Sequence, residues 1–281
     1  LHGKALSYNN LYDANGALEL VKEIAADDFA AAAVIKHANP CGFAVADNVA
    51  EAFDKAYAGD PLAAFGGIVA FNRAVDQAAA KKIVEGQKFL EIIIAPEFDD
   101  DALELLRERW KNVRLIVTGP LPAPADRDAR EVDLKRITGG LLVQERDIAA
   151  FDAGEWDHVA GPEPTGDDLV NLRLAMMTAK HLKSNAVSLV RDGMLIGGGA
   201  GQMDRLASCR IAVEKAGDRA RGAYAGSDAF FPFRDGPDAL IEAGVKAIIQ
   251  PGGSKRDEET IEACRENNVT LVCTGRRVFR H

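Results

Sequence analysis

Residues 31–42 read Ala-Ala-Ala-Val-Ile-Lys-His-Ala-Asn-Pro-Cys-Gly. The apolar run at 31–35 is typical of a short buried strand. Asn48 and Glu51 follow at the spacing of a capping box, so a helix is predicted next. A strand that opens into a Pro/Gly turn before a helix is where open α/β sheets collect their ligands. Lys36 and His37 therefore occupy a predicted ligand-binding position.

The chain on both sides of this stretch alternates helical and strand-like patterns, which predicts a layered α/β sheet. The predicted strands are 31–36, 68–71, 90–95, 113–117, 140–144, 186–191, 194–196, 245–250 and 269–273. The predicted helices are 13–25, 48–58, 76–85, 99–109, 167–183, 235–244 and 257–267. Residues 119–131 are predicted to form an irregular loop.

The two halves of the chain show a similar order of elements. Each contains a helix followed by a buried strand that ends in proline, at Pro96 and at Pro251. The Gly- and Pro-containing segment 152–167 is the best boundary between them. We therefore expect an internal duplication, with domains at 1–152 and 153–281.

Composition excludes several classes of protein. With 281 residues and 47% hydrophobic residues, the chain can form the cores of about two domains. A net charge of -9 argues against a general nucleic-acid-binding surface. No apolar run approaches the roughly 18 residues of a membrane span.

Four widely spaced cysteines form no C-x-x-C motif, and no secretory segment opens the chain. Reduced thiols in the cytoplasm are expected. The chain begins with Leu1 rather than Met, which suggests a fragment of a longer protein.

His37 and the Pro40-Cys41 pair invite comparison with the zinc deaminases, whose signature is H-x-E followed by P-C-x-x-C. The match fails in detail. Asn39 stands where the acid/base glutamate belongs, and Ala44 replaces the second thiolate. Fewer than three zinc ligands remain, so no metal is expected. His37 is then either structural or an acid/base group, and the neighbouring Lys36 favours proton transfer because an ammonium disfavours the imidazolium form.

Three further stretches have two interpretations each. Residues 197–202 read G-x-G-x-G-Q and lie between a predicted strand and a predicted helix. They could form a phosphate-binding loop or a tightly packed glycine turn. Residues 227–235 place three phenylalanines among charges, as core or as a pocket for a flat heterocycle. The basic residues 276–281 are a solvated tail or an arginine fork for phosphate or carboxylate.

Eight ordered blocks of the sequence resemble one family from the first residue to the last. It is the transformylase part of the bifunctional purine-biosynthesis enzymes, which couple AICAR (5-aminoimidazole-4-carboxamide ribonucleotide) formyltransferase with IMP cyclohydrolase. The blocks are residues 1–10, 36–42, 64–67, 183–186, 199–202, 227–235, 250–254 and 279–281.

The resemblance implies two tandem cytidine-deaminase-like α/β/α layered subdomains without zinc. It implies transfer of a formyl group from 10-formyltetrahydrofolate, the co-substrate, to the 5-amino group of AICAR. The products are FAICAR and tetrahydrofolate. The catalytic residues would be Lys36, His37 and Asn185: His37 would take the amine proton, and Lys36 would stabilise the developing oxyanion. Asn185 would hydrogen-bond near the amine and the formyl group.

The resemblance also implies the binding residues and the partners. Gly66, Glu91, Phe230 and Arg277 would bind AICAR. Arg205, Asp235, Ser254 and Lys255 would face the folate. Family members form homodimers whose active sites use both chains, and no nucleic acid or membrane is implied.

The sequence departs from the family pattern in several places. An Arg-Tyr-Gly segment that helps to bind AICAR, and the cyclohydrolase domain, would precede Leu1. No cyclohydrolase activity is therefore expected of this chain. The family pattern includes a monovalent cation such as potassium as a possible cofactor near Asn185 and Asp228. Glu91 stands where some relatives have Asp, and Ala186 where some have Ser, so this cation site stays open. The alternative function is a truncated chain that binds nucleotide or folate with little or no catalysis.

Overall fold

The computed structural model describes residues 1–128, 130–148 and 150–281, and shows a mixed α/β architecture. The helices in these ranges are α1 Tyr8–Val21, α2 Val49–Gly59, α3 Pro61–Ala64, α4 Gln77–Val84, α5 Asp100–Arg109, α6 Asp167–His181, α7 Arg205–Ala216, α8 Asp235–Glu242 and α9 Asp257–Glu266. The strands are β1 Ala30–Lys36, β2 Asn39–Ala46, β3 Gly67–Phe71, β4 Leu90–Ala95, β5 Arg114–Val117, β6 Val132–Ile137, β7 Gly140–Glu145, β8 Asp157–Ala160, β9 Val187–Arg191, β10 Met194–Gly199, β11 Tyr224–Ser227, β12 Ala247–Gln250 and β13 Thr270–Cys273.

Eleven of these strands form one mixed sheet in the order β5-β4-β3-β1-β2-β10-β9-β11-β12-β13-β8. In each half, two strands form an antiparallel hairpin, a third pairs antiparallel with the first, and two more follow in parallel. The halves join through β2 and β10, which are antiparallel, with Ala44 opposite Met194. The two halves thus share one order of strand pairing, and β8 is added beside β13.

Helices cover both faces of the sheet. Residues 31, 33 and 35 of β1 pack into a core with α1 and α6, and this core extends across both halves. Residues 30, 32 and 34 face the opposite way, toward α2, α4 and α5. Helices α7, α8 and α9 cover the corresponding face of the second half. A strand buried on both faces has a continuous apolar sequence, which is why β1 could be predicted.

The stretch after Lys36 differs from the prediction. Residues 39–46 form β2, so the turn at His37 and Ala38 closes an antiparallel hairpin and does not lead directly into a helix. His37 has φ 52° and Ala38 has φ 62°, the pair of positive φ values of a type I′ turn. The helix capped by Asn48 does form, but eight residues of strand precede it. Strands β6, β8 and β11 were also not predicted.

The glycines at 197–199 lie inside β10 rather than in a loop before a helix. A Cβ at Gly199 would stand 2.0 Å from the Ser208 carbonyl oxygen, and one at Gly197 would stand 2.1 Å from that of Ala212. Both carbonyls belong to α7. Because real Cβ atoms do not come so close, these two glycines allow α7 to pack against the strand, which favours the packing interpretation.

Strands β6 and β7 form a separate two-stranded sheet whose residues are all exposed. All four cysteines have free thiols. In the described ranges, no helix is long and apolar enough to cross a membrane.

Candidate active site

All the residues predicted for the site lie at one end of the large sheet. Strand β1 ends there, at Lys36, and the antiparallel neighbours β2 and β3 begin there. Strands β10, β11, β12 and β13 end there, and β4 and β9 begin there. Strand direction thus places these residues at one end of the sheet, along the edge that its strand ends form. Direct contacts within this set join Lys36 to Gly66, Asn185 to Arg205 and Phe230 to Arg277.

The Lys36 ammonium is held by backbone carbonyl groups. Its Nζ donates to the oxygen of Phe65 at 2.9 Å and to that of Gly66 at 3.1 Å. Gly66 has φ 69°, a conformation that favours glycine, and an added Cβ would stand 3.2 Å from Nζ. An ammonium has three donors, so one remains for a ligand.

The neighbouring His37 has an exposed side chain, and its ring makes no hydrogen bond within the described ranges. The turn that carries it is nevertheless fixed. The backbone N–H of Ala38 donates to Asp13 Oδ1 of α1 at 2.8 Å. Asn39 Oδ1 accepts from the backbone N–H of Lys183 at 3.0 Å. This second bond connects the Lys-His turn to the segment that carries Asn185.

The Asn185 side chain belongs to a buried polar network. Arg205 Nη2 donates to Asn185 Oδ1 at 2.7 Å, and Asn185 Nδ2 donates to the Gln202 carbonyl at 2.8 Å. Arg205 Nη1 donates to Asp228 Oδ1 at 2.5 Å and to Ser227 Oγ at 2.9 Å. The guanidinium of Arg205, predicted to face the folate, is therefore largely occupied by protein groups.

The C-terminal residues pack against this network. The backbone N–H of Ser184 donates to the Arg280 carbonyl at 2.9 Å, and that of Val278 donates to the Asp228 carbonyl at 2.9 Å. The Arg277 guanidinium lies over the Phe230 ring, with 5.0 Å between its Cζ atom and the ring centroid. These two predicted AICAR-binding residues are therefore in contact.

Glu91 lies at the same end but is already paired. Its carboxylate accepts from Arg114 Nη1 at 2.7 Å, and Arg114 Nε donates to the Ala5 carbonyl at 3.2 Å. Glu91 thus connects β4 to the N-terminal segment. The structure brings it close to Gly66, whose N–H donates to the Phe89 carbonyl at 2.8 Å.

Asp235, Ser254 and Lys255, predicted to face the folate, lie after the ends of β11 and β12. Asp235 begins α8 and lines a cavity of about 520 Å³ between α7 and α8. The loop that carries Ser254 is held by Asp257, whose Oδ2 accepts from the N–H groups of Gly253 and Ser254. The Lys255 side chain is exposed.

A buried charge cluster lies behind the turn and the C-terminal residues. Burial opposes ionisation of Glu23, but the hydrogen bond from His181 and the Lys180 ammonium at 3.0 Å outweigh it and lower the pKa of Glu23 to about 2. Burial lowers the pKa of His181. The His181 ring therefore donates from Nε2 to Glu23 at 3.1 Å and faces Arg280 with Nδ1 at 3.3 Å.

No group of three or more His, Cys, Asp and Glu residues in the described ranges could hold a metal ion. The Cys41 thiol lies 3.4 Å from the Val34 carbonyl, and burial raises its pKa to about 12.

Sequence reasoning missed the hydrogen bonds of three residues that shape the site. Asp13 and Asn39 hold the Lys-His turn, and Asp228 binds Arg205. Asn39 and Asp228 lie inside blocks that the resemblance had marked, and Asp228 directly follows a buried strand. Nothing in the local sequence distinguished Asp13, because its partner is 25 residues away.

The chain was compared with known proteins. The family model described as "AICARFT/IMPCHase bienzyme" matches residues 1–215. The bifunctional purine biosynthesis protein PurH of Anoxybacillus flavithermus is 48% identical over 281 residues, and that of Acetivibrio thermocellus is 44% identical over 281 residues. The Brucella ovis protein of the same name is 48% identical over 291 aligned residues.

These matches cover 100% of this chain and 53% of each relative, so the chain spans about half the length of the curated relatives it matches. Among solved structures, Acinetobacter baumannii RibD (form 2) has a TM-score of 0.26 and 20% identity, with 33% of this chain and 30% of that chain covered. A score this low supports no comparison of folds. The family model covers most of the chain, and the chain therefore belongs to the AICARFT/IMPCHase bienzyme family.

Proposed function

We propose that this chain transfers a formyl group from 10-formyltetrahydrofolate to the 5-amino group of AICAR, giving FAICAR and tetrahydrofolate. The observation that carries the proposal is the hydrogen bond from Lys183 N to Asn39 Oδ1. It joins the Lys36-His37 turn of one half to the Asn185 segment of the other. Identity of 48% over the whole chain with proteins named for purine biosynthesis supports the same reaction.

The AICAR amine is a poor nucleophile because its lone pair is delocalised into the imidazole and carboxamide. His37 takes the amine proton as the nitrogen attacks the formyl carbon. The third N–H of Lys36 and the remaining Nδ2 hydrogen of Asn185 stabilise the oxyanion of the tetrahedral intermediate. The intermediate then collapses, the bond from the formyl carbon to folate N10 breaks, and N10 receives a proton as tetrahydrofolate leaves.

We propose that the remaining predicted residues bind the two substrates. Gly66, Glu91, Phe230 and Arg277 bind AICAR; the Phe230 ring offers a flat apolar surface, and Arg277 offers hydrogen-bond donors. Asp235, Ser254 and Lys255 face the folate, and Arg205, predicted to do the same, contributes through its hydrogen bond to Asn185. The positions of Asp235, Ser254 and Lys255 after the ends of β11 and β12 support this placement.

We further propose that the halves, 1–152 and 153–281, are cytidine-deaminase-like subdomains without zinc. The shared order of strands and helices supports this division. A cytoplasmic location is proposed as well, and the free thiols are compatible with it.

A homodimer is proposed, and the β6–β7 hairpin supports it. Leu134 lies opposite Val143 and Arg136 opposite Leu141, so Val132, Leu134, Leu141 and Val143 share one face. Their exposed fractions are 48%, 62%, 60% and 62%. An apolar face on a two-stranded hairpin is rarely stable alone in water, and a second copy of this chain would cover it.

The residues around Asp228 do not fit a monovalent cation. Both carboxylate oxygens already accept hydrogen bonds, from Ser184 Oγ at 2.5 Å and from Arg205 Nη1 at 2.5 Å. A guanidinium at this distance compensates the negative charge that would attract potassium. No step of the proposed reaction uses a cation.

The test is formyl transfer by the purified chain, measured as tetrahydrofolate appears, with and without His37→Ala. We expect turnover that this variant abolishes while AICAR binding partly survives. His158→Ala is the matched control, because the hydrogen bond of its ring goes to the Ala160 carbonyl and His158 belongs to β8, at the far edge of the sheet. Full activity of His37→Ala would refute the assignment.

The alternative is a chain that binds nucleotide or folate without substantial catalysis. The exposed His37 ring has no hydrogen-bond partner in the described ranges to orient it, and this observation favours the alternative. Calorimetric binding of AICAR with no turnover would establish it, whereas substantial turnover would exclude it.

A further inference from the structure

Asp228 and Asn72 occupy equivalent positions, directly after β11 and β3. The Asp228 N–H donates to the Ala186 carbonyl at 3.2 Å, and its Oδ1 accepts from the Ala186 N–H at 3.1 Å. Asn72 makes the same two bonds with Ala31, at 3.3 Å and 2.7 Å. A neutral amide therefore satisfies this backbone pairing. The negative charge of Asp228 has another purpose.

That purpose is to compensate Arg205. Asp228 is fully buried and Arg205 is 7% exposed, and a buried cation is costly unless a carboxylate pairs with it. The first half contains neither charge: Val49 begins α2 as Arg205 begins α7, and Val49 stands 23 residues before Asn72 as Arg205 stands 23 before Asp228. The two halves therefore differ by a matched pair, Val with Asn in one and Arg with Asp in the other.

The Arg205–Asp228 pair also determines how the Asn185 side chain is oriented. A guanidinium has only donors, so Arg205 Nη2 requires the carboxamide oxygen to face it. The amide nitrogen must then face the other way, where it donates to the Gln202 carbonyl. One hydrogen of Nδ2 has no acceptor within the described ranges. The arrangement thus determines which end of the amide is presented to a ligand.

We propose that Arg205, anchored by Asp228, is a positioning residue for Asn185. It holds the carboxamide so that its remaining N–H is presented as a donor to an oxygen of the substrate. The identity of that oxygen, the formyl oxygen, rests on the proposed function, whereas the positioning does not.

The test is a double-mutant cycle with R205V/D228N, which copies the Val49 and Asn72 pair of the first half. The copied pair leaves no buried charge unpaired, so the variant is expected to fold. N185A should lower kcat about 100-fold in the wild-type chain, the loss typical of one oxyanion donor. R205V/D228N should lower kcat at least about 30-fold, which is most of the loss that N185A causes. In that background, N185A should cost less than about threefold more, because residues that act as a unit are not additive.

An equal loss from N185A in both backgrounds would overturn the proposal, since Arg205 would then act independently of Asn185. Arg205→Lys serves if R205V/D228N does not fold. Lysine keeps the buried charge but is a point donor that cannot bridge Asp228 and Asn185. It should reproduce both the lower kcat and the insensitivity to N185A; normal kcat in Arg205→Lys would also overturn the proposal.

A second readout does not depend on activity. The side-chain amide signals of Asn185, assigned by their loss in N185A, should shift in R205V/D228N, while those of Asn171 stay unchanged. Unchanged Asn185 signals would refute the positioning. A wild-type chain without formyl transfer would refute the proposed function and would leave this measurement to decide the positioning separately.

Discussion

Asp13 accepts a hydrogen bond from the backbone N–H of Ala38 at 2.8 Å and thereby fastens the Lys-His turn to α1. The second half repeats this contact: Asn171 Oδ1 of α6 accepts from the N–H of Gly193 at 3.0 Å. Gly193 and Asp192 also have positive φ values. What the turn requires of the helix is an oxygen acceptor, which an aspartate or an asparagine supplies equally.

This equivalence predicts the effect of changing Asp13. Asp13→Asn should keep the acceptor and nearly all of the stability and activity. Asp13→Ala leaves the N–H of Ala38 without a partner and should cost about 1–3 kcal/mol in free energy of unfolding. Urea unfolding and the rate of formyl transfer measure both. Equal behaviour of the two variants would contradict the prediction.

Ala38 itself should be improved by glycine. At φ 62° a residue other than glycine is strained by about 1–2 kcal/mol. Glycine removes this strain but also makes the unfolded chain more flexible, which offsets part of the stabilisation. Ala38→Gly should therefore raise the free energy of unfolding by up to about 1 kcal/mol. Ala38→Val, which adds a β-branched side chain, should lower it by about 2 kcal/mol or more. Denaturant midpoints compare the three proteins, and a stabilising valine would refute the argument.

Glu23 predicts how stability depends on pH. Its folded pKa of about 2 lies below the ordinary value of 4.5, so its contribution is complete above pH 5 and is lost as the pH falls from about 5 to 2. The difference corresponds to about 3 kcal/mol. Glu23→Gln should flatten the dependence in this window and lower stability at pH 7, because Lys180 and Arg127 each lose one of their carboxylate partners.

The control for Glu23 is Glu51→Gln. Glu51 forms an exposed pair with Lys55 at 3.0 Å, and such pairs contribute about 0.5 kcal/mol or less. Urea unfolding between pH 2 and 7 compares the proteins. The interpretation fails if both substitutions change the pH dependence alike.

The apolar face of the β6–β7 hairpin should determine whether two copies of the chain associate. Leu134→Glu places a charge on its apolar face and should raise the dimer dissociation constant at least about tenfold, at a cost of 1.4 kcal/mol or more. Lys135→Glu changes the opposite face and should leave association unchanged. Sedimentation of both variants over a range of concentrations tests this. A monomeric wild-type chain would reject the dimer itself.

The proposed reaction should not require potassium. Because Asp228 is already compensated by Arg205, replacing potassium with tetramethylammonium at constant ionic strength should change kcat by less than about twofold, which is below 0.5 kcal/mol. Initial rates in the two salts provide the comparison. Loss of activity without potassium would show that Asp228 or its neighbours bind the ion.

Most elements could be predicted because their apolar periodicity is local. Strand β1, helix α6 and the helix after Asn48 are examples. Strand β2 was missed because Pro40 and Gly42 look like turn residues. Gly42 is needed for packing and not for a turn. An added Cβ would stand 1.9 Å from the Ala56 carbonyl of α2, so the glycine allows this helix to pack on the strand. Local sequence does not contain that contact.

The site was predictable only in part for a related reason. Lys36, His37 and Asn185 lie in blocks that the family resemblance marks, and strand direction brings them to one end. The hydrogen bonds of Arg205 were not predictable, because they depend on where α7 places its first residue relative to β9 and β11. Burial changes what a side chain can contact, and sequence spacing alone does not report it.

The antiparallel union of β2 and β10 has an evolutionary consequence. This pairing places the hairpin turn of each half at the end of the sheet where β10 and β11, or β2 and β3, of the other half finish. Two identical copies joined in this way would therefore carry two identical sites, one at each end of the sheet. In the present chain, the turn with His37 lies at the same end of the sheet as Arg205 and Asp228 of the second half. The turn with Asp192 lies at the opposite end, where the first half has Val49 and Asn72. After such a duplication, selection for a single reaction would preserve one end and leave the other free to change.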